Sequence, residues 1–175
     1  MRCIAIAATT MDGKIALGRD HFSDWTSPED KAFMRELLGE ADVVVVGNNT
    51  YKTAKEPLSK RDCIVLTSSV ADVQRERDNL LLWNPEGTPH SSILQNYSTV
   101  AVLGGAKTYS YFLENNILDE LYLTIEPIVF GRGISLFDHS EDIPAHFTLL
   151  SMKQLNARGT ILLHYRTLPP EKRGK

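Results

Sequence analysis

Apolar positions along the chain fall into short continuous runs separated by polar stretches. Arg2–Ala8, Asp42–Val46, Cys63–Thr67, Leu80–Trp83 and Thr99–Leu103 are rich in Val, Ile and Leu, and each reads as a strand. Runs that stay apolar throughout predict sheet interior covered on both faces. Between them the spacing predicts helices over Pro28–Leu38, Asn49–Ala54, His90–Asn96 and Ala106–Leu113. That alternation predicts crossover units and a largely parallel sheet. The pattern then changes: Asp119–Glu126 is a further strand, and Phe147–Leu155 and Thr160–Thr167 flank Asn156-Ala157-Arg158-Gly159 as an antiparallel hairpin. The expected architecture is α/β, a mixed and mostly parallel sheet of about eight strands with helices on both faces and an antiparallel C-terminal hairpin.

Composition narrows the classes. With 175 residues, 42% of them apolar and 23% charged, the chain suits one domain over residues 1–168 with a frayed tail at 169–175. The 19 basic and 22 acidic residues leave a formal charge of −3, which offers no field for nucleic acid. The apolar runs are far shorter than the ~20 residues that cross a bilayer. Cys3 and Cys63 lie in apolar runs without a short spacing, which fits buried thiols in a reducing, cytoplasmic setting rather than a disulfide frame or a zinc site. The five histidines show no ligand spacing, so no metal is expected. No serine elbow or Cys/His arrangement suggests covalent catalysis.

Three features could carry chemistry. In the helix at Pro28–Leu38, Ser27 suits the cap, Pro28 the first helical position, and Glu29 and Asp30 the positive end. Asp30 stands where it would complete a capping box with Ser27. It also stands three and four residues before Phe33 and Met34, which open the apolar stripe continued by Leu37, Leu38 and Ala41, and so projects toward the buried side. A carboxylate there needs a partner, and a ligand with adjacent N–H donors would supply one. The second feature, Leu103-Gly104-Gly105-Ala106-Lys107, runs from strand to helix through two glycines. It is either a tight turn or a place where backbone N–H groups approach a phosphate. Neither G-x-G-x-x-G nor a Walker A motif occurs, which disfavours ordinary Rossmann and P-loop enzymes. Third, Gly47-Asn48-Asn49-Thr50 and Leu66-Thr67-Ser68-Ser69 close two strands with small polar residues. Each alone is a cap or turn. Together with Gly104-Gly105 on one sheet edge they suggest a nucleotide crevice.

The combination resembles the dihydrofolate reductase superfamily, which includes the pyrimidine reductases of riboflavin synthesis, from the first strand to about Tyr165. Ala8, Asp12 and Ile15 stand in the family's Ala-x-x-x-Asp-x-x-Ile, and Trp25-Thr26-Ser27-Pro28-Glu29-Asp30 in its Trp-x-x-Pro-x-Asp. Gly47-Asn48-Asn49-Thr50-Tyr51 is similar to Gly-Arg-x-Thr-Trp, and Pro57-Leu58-Ser59-Lys60-Arg61 to Pro-Leu-Pro-x-Arg. Gly104-Gly105-Ala106-Lys107 with Tyr109 resembles the glycine-rich cofactor turn, and Leu121-Tyr122-Leu123-Thr124 the strand whose threonine contacts the substrate carboxylate.

The resemblance implies an NADPH-dependent reductase, with dihydrofolate as the first candidate substrate. It implies Asp30, Thr124 and Trp25 as catalytic residues, and Ile6, Ala8, Phe33, Met34 and Arg61 as substrate contacts. The implied cofactor contacts are Ala8, Ile15, Gly47, Asn48, Asn49, Thr50, Thr67, Ser68, Ser69, Leu103, Gly104, Gly105, Ala106, Lys107, Thr108 and Tyr109. The loop Met11–Asp24 would be a lid over the nicotinamide. Asn48 stands where the family has an arginine near the cofactor 2′-phosphate; Lys52, Arg75 and Lys107 are candidates to compensate. Glu126-Pro127-Ile128-Val129-Phe130-Gly131-Arg132-Gly133 and Asp12-Gly13-Lys14-Ile15-Ala16 look more like the pyrimidine reductases, whereas Lys55-Glu56-Pro57 replaces their Asp-Asp-Pro. Two alternatives therefore stand beside the first: reduction of the phosphoribosylaminouracil of riboflavin synthesis, and a non-catalytic dinucleotide-binding module. The C-terminal strands would form a homodimer edge or lie covered within a monomer.

Overall fold

The computed structural model describes residues 1–21, 23–138 and 144–169. Phe22, His139 and residues 170–175 of the expected tail lie outside the described residues.

The apolar runs form the centre of a nine-stranded sheet. β1 (Arg2–Thr10), β3 (Val43–Gly47), β4 (Cys63–Leu66), β6 (Leu80–Trp83), β7 (Thr99–Val102) and β8 (Glu120–Glu126) lie parallel. Their spatial order is β8-β1-β7-β3-β4-β6. The chain thus runs outward from β1 through β3, β4 and β6, then returns to insert β7 between β1 and β3. Ligands of open parallel sheets gather at such a reversal, outside the carboxyl ends of the strands.

Covering helices explain why these strands are apolar on both faces. On one face, Leu37 and Leu38 of α1 (Pro28–Gly39), Tyr51 of α2 (Asn48–Thr53) and Leu58 of α3 (Lys55–Leu58) bury Ile4, Ile6, Val44, Val46 and Val65. On the other, Leu94 of α4 (His90–Leu94) and Tyr109 and Phe112 of α5 (Ala106–Glu114) bury Ala5, Val43, Val45, Val100 and Val102. Each fully buried aliphatic side chain contributes about 1.5–3 kcal/mol relative to exposure.

Both edges are antiparallel. The expected hairpin is β10 (Phe147–Gln154) and β11 (Ile161–Thr167), with β11 joined to β8. β10 is the edge strand, and Leu149 and Met152 are exposed on it. The opposite edge is a strand the apolar pattern does not predict: β5 (Val73–Arg77), Val-Gln-Arg-Glu-Arg, pairs antiparallel to β6. Polar side chains are common on edge strands, which they protect from further pairing, so such a strand leaves no hydrophobic trace.

The expected lid is not a free loop. Its residues Lys14–Ala16 form β2, which pairs with β9 (Ile134–Ser135), and Ser23–Trp25 form a 3-10 turn. The pairing brings Gly133 so close that a Cβ there would lie 2.3 Å from the Ala16 carbonyl oxygen. A strand of two or three residues is too short for periodicity to reveal, and the contact spans more than a hundred residues. Among the described residues, no helix is long and apolar enough to cross a membrane.

Candidate active site

The carboxyl ends of the parallel strands open into a cleft of about 1760 Å³. One wall comes from α1. Ser27 is extended (φ −66°, ψ 155°), and its Oγ accepts the Asp30 N–H at 3.2 Å, which starts the helix. In a complete capping box the acidic side chain would return to the Ser27 N–H. Here that N–H donates instead to Oε1 of Glu126 on β8, at 2.6 Å. Asp30 is therefore released from capping and lines the cleft, only 7% exposed.

The Asp30 carboxyl is hydrogen-bonded to the side chains of Thr124 and Thr26. Burial raises its pKa above the ordinary carboxylate value; the Thr124 and Thr26 hydrogen bonds oppose the rise, Glu126 adds repulsion, and Lys31 opposes it. An inward carboxyl of raised proton affinity, held by neutral donors, is suited to accept N–H groups from a flat polar heterocycle. Tyr109 closes the floor: its hydroxyl donates to the Ile6 carbonyl at 2.6 Å, and burial, followed by the Asp30 charge, raises its pKa.

Two strand-to-helix turns form the middle of the cleft. α2 starts at Gly47 and α5 at Gly105, and the Gly47 N–H donates to the Gly104 carbonyl at 2.6 Å. A Cβ on Gly47 would lie 2.8 Å from Thr108 Oγ1, and one on Gly105 would lie 3.4 Å from Thr50 Oγ1. Glycine is what allows the two turns to touch. Both helix starts point positive ends into the cleft, an arrangement suited to a pyrophosphate. The turns, with Thr67 and Ser68 just after β4, fit a dinucleotide.

Most residues implied by the sequence meet here. Ile6, Ala8, Ile15, Trp25, Met34 and Arg61 line the cleft with Asp30. So do Gly47, Asn48, Asn49, Thr50, Thr67, Ser68, Leu103, Gly105, Ala106, Lys107, Thr108 and Tyr109. Four do not line it directly. Thr124 acts behind Asp30, Phe33 packs on Tyr122 with ring centroids 5.6 Å apart, and Ser69 and Gly104 lie just outside. Arg61 enters with Nη1 already donating to the Leu38 carbonyl at the end of α1, at 2.7 Å. Of the three compensating cations, Lys107 lines the cleft; Lys52 and Arg75 do not, and Arg75 donates to the Asp78 carbonyl.

The lid joins the site through Trp25, which stacks edge-on against Phe130 at 5.1 Å and whose buried indole N–H has no partner among the described residues. Asp12 fastens the lid's start. Its carboxylate accepts the Thr10 hydroxyl at 2.5 Å and the N–H groups of Phe130 and Gly131 at 3.2 and 2.8 Å. Those hydrogen bonds, Thr10's foremost, lower its pKa. Glu126 is the residue that sequence reasoning passed over. Its signal was available: two positions after Thr124 on a strand, it must share Thr124's face.

A reversing parallel sheet with two glycine turns opposite a buried carboxylate defines the reductase fold of dihydrofolate reductase and its pyrimidine-reducing relatives. The chain belongs to the dihydrofolate reductase family, whose sequence profile matches residues 2–132. It is 26% identical over 172 residues to the uncharacterized protein YwjB of Bacillus subtilis, spanning 94% of this chain and 97% of that one. Two solved structures share the fold. A putative riboflavin biosynthesis protein from Shewanella sp. PV-4 has a TM-score of 0.77 at 24% identity, covering 97% of this chain and all of that one. Dihydrofolate reductase from Enterococcus faecalis, complexed with NADP(H), has a TM-score of 0.69 at 18% identity, covering 96% and 97%.

Proposed function

We propose that the protein is an NADPH-dependent reductase whose first substrate is 7,8-dihydrofolate, reduced to 5,6,7,8-tetrahydrofolate. The observation that carries this reading is the Asp30 carboxyl, buried in the cleft and free of its capping duty because Glu126 occupies the Ser27 N–H. Reduced nicotinamide dinucleotide supplies the hydride when bound. The protein's share is orientation, exclusion of water and control of a proton. Asp30 accepts the N3–H and 2-amino N–H of the pterin, which makes N5 more basic toward a proton from water. Thr124 and Thr26 hold the carboxyl in place, and Trp25 with the lid keeps bulk solvent from the reacting face. Lys107 and the two helix starts balance the cofactor phosphates. Lys60 and Arg61, which also line the cleft, meet the anionic tail of the substrate. A cytoplasmic location suits this activity and the free thiols.

A second substrate has support of its own. The Shewanella riboflavin protein matches across its whole length, and an aminouracil also offers adjacent ring and exocyclic N–H donors to Asp30. Its ribose phosphate would meet the same cations. The deciding experiment gives the purified protein and NADPH either dihydrofolate or the phosphoribosylaminouracil and follows loss of nicotinamide absorbance. Turnover of dihydrofolate is expected; turnover of the uracil alone would transfer the assignment to the riboflavin branch. Cofactor binding without oxidation by either would leave a binding module.

A further inference from the structure

Among the described residues, one buried carboxyl group takes no part in the chemistry proposed above. Glu126 is 5% exposed, and it does not line the cleft. Its Oε1 takes the Ser27 N–H at 2.6 Å, and its Oε2 takes the Thr160 hydroxyl at 2.7 Å. No cation contacts it among the described residues. Burying a carboxylate on two neutral donors is costly, so a strand that carries one needs a reason.

The surrounding hydrogen bonds supply it. Thr160 follows the hairpin turn, and Asn156 in that turn donates through Nδ2 to Thr160 Oγ1 at 3.0 Å and to Glu29 Oε2 at 3.1 Å. Asn156 Oδ1 also accepts the Thr160 N–H at 3.2 Å, which fixes the turn itself. One continuous path thus runs from the first turn of α1 through the hairpin to Glu126 and back to the cap of α1. Asp30 is the third residue of that helix.

We propose that Glu126 is a positioning residue for Asp30: it takes over the half of the capping box that Asp30 would otherwise close, aims Asp30 into the cleft, and makes the C-terminal hairpin part of the active-site support. The electrostatic consequence follows from the same geometry. The charged and titratable groups that face Asp30 are Glu126 on β8, Lys31 on α1 and Tyr109 on α5. Of these Glu126 is the acid, and its charge disfavours a second charge on Asp30.

The coupling rests on Asp30 doing the work assigned above, so its first readout is independent of turnover. Carboxyl-carbon NMR of the intact wild-type protein should show Asp30 responding in two steps, the signature of a coupled neighbouring carboxyl. In Glu126→Gln, which retains an acceptor for the Ser27 N–H, the Asp30 midpoint should move down. The Asp30-dependent limb of kcat should follow it, with KM for NADPH unchanged. A single-step Asp30 titration in the wild type overturns the proposal even if the variant does not fold, and so does an unmoved midpoint in a folded variant. A shifted Asp30 midpoint in a protein that reduces neither substrate would sink the reductase reading and leave the coupling standing.

Discussion

Asp30 holds two opposed demands in one side chain. Burial raises the free energy of its charged form, and binding a heterocycle by its N–H groups requires that form. Because its folded pKa is raised, Asp30 contributes stability that is complete below its unfolded pKa and is lost as pH rises through the folded one. Asp30→Asn removes the penalty. The variant is expected to melt above the wild type at neutral pH, the gap closing at acid pH, while dihydrofolate turnover falls about a hundredfold or more. Thermal melts across pH beside steady-state assays check both; an unstabilised, fully active variant would return Asp30 to the helix cap. Phase along α1 made this residue legible in the sequence, because an apolar stripe fixes which way its neighbours point. Whether Asp30 caps its helix was not legible. That depends on which group occupies the Ser27 N–H, and Glu126 comes from a strand ninety-nine residues away.

The turns carry the next level of function. Gly47→Ala places a methyl 2.8 Å from Thr108 Oγ1 and separates the starts of α2 and α5. NADPH affinity should fall about tenfold, or ~1.4 kcal/mol, in a calorimetric titration. Gly39→Ala is the control: nothing lies within 4 Å of its added carbon, so binding should be unchanged. At the lid, Asp12→Ala removes the acceptor for three donors. Hydrogen exchange at the Phe130 and Gly131 amides should speed up and KM for NADPH should rise. In the wild type the Asp12 pKa is lowered, so the fastening is intact above the unfolded pKa and is lost as pH falls through the folded one. Wild-type exchange at those amides should therefore quicken only in acid, and acid-insensitive exchange would count against the fastening. Local pattern located the glycine turns because glycine between strand and helix is a local signal. It could not reveal that the lid is zipped to β9, since that pairing is made by three residues and two.

On the scale of the whole molecule, the two layers are joined through shared central strands. Apolar runs disclosed those strands, and the alternation of strand and helix disclosed their parallel sense. The polar edge β5 left no such mark. Cys3 and Cys63 sit in different layers of this arrangement, one under α4 and α5, the other under α1 to α3, and they are 0% and 3% exposed. Burial pushes both thiols up to about 12, so neither offers a reactive thiolate in the native state. The chain thereby carries two internal clocks. An alkylating reagent at neutral pH can modify each sulfur only when its own layer lifts away, and mass spectrometry of the two peptides times those events separately. Equal rates at both sulfurs are expected, the signature of one cooperative opening; a faster Cys63 would mean that the face bearing Asp30 breathes on its own.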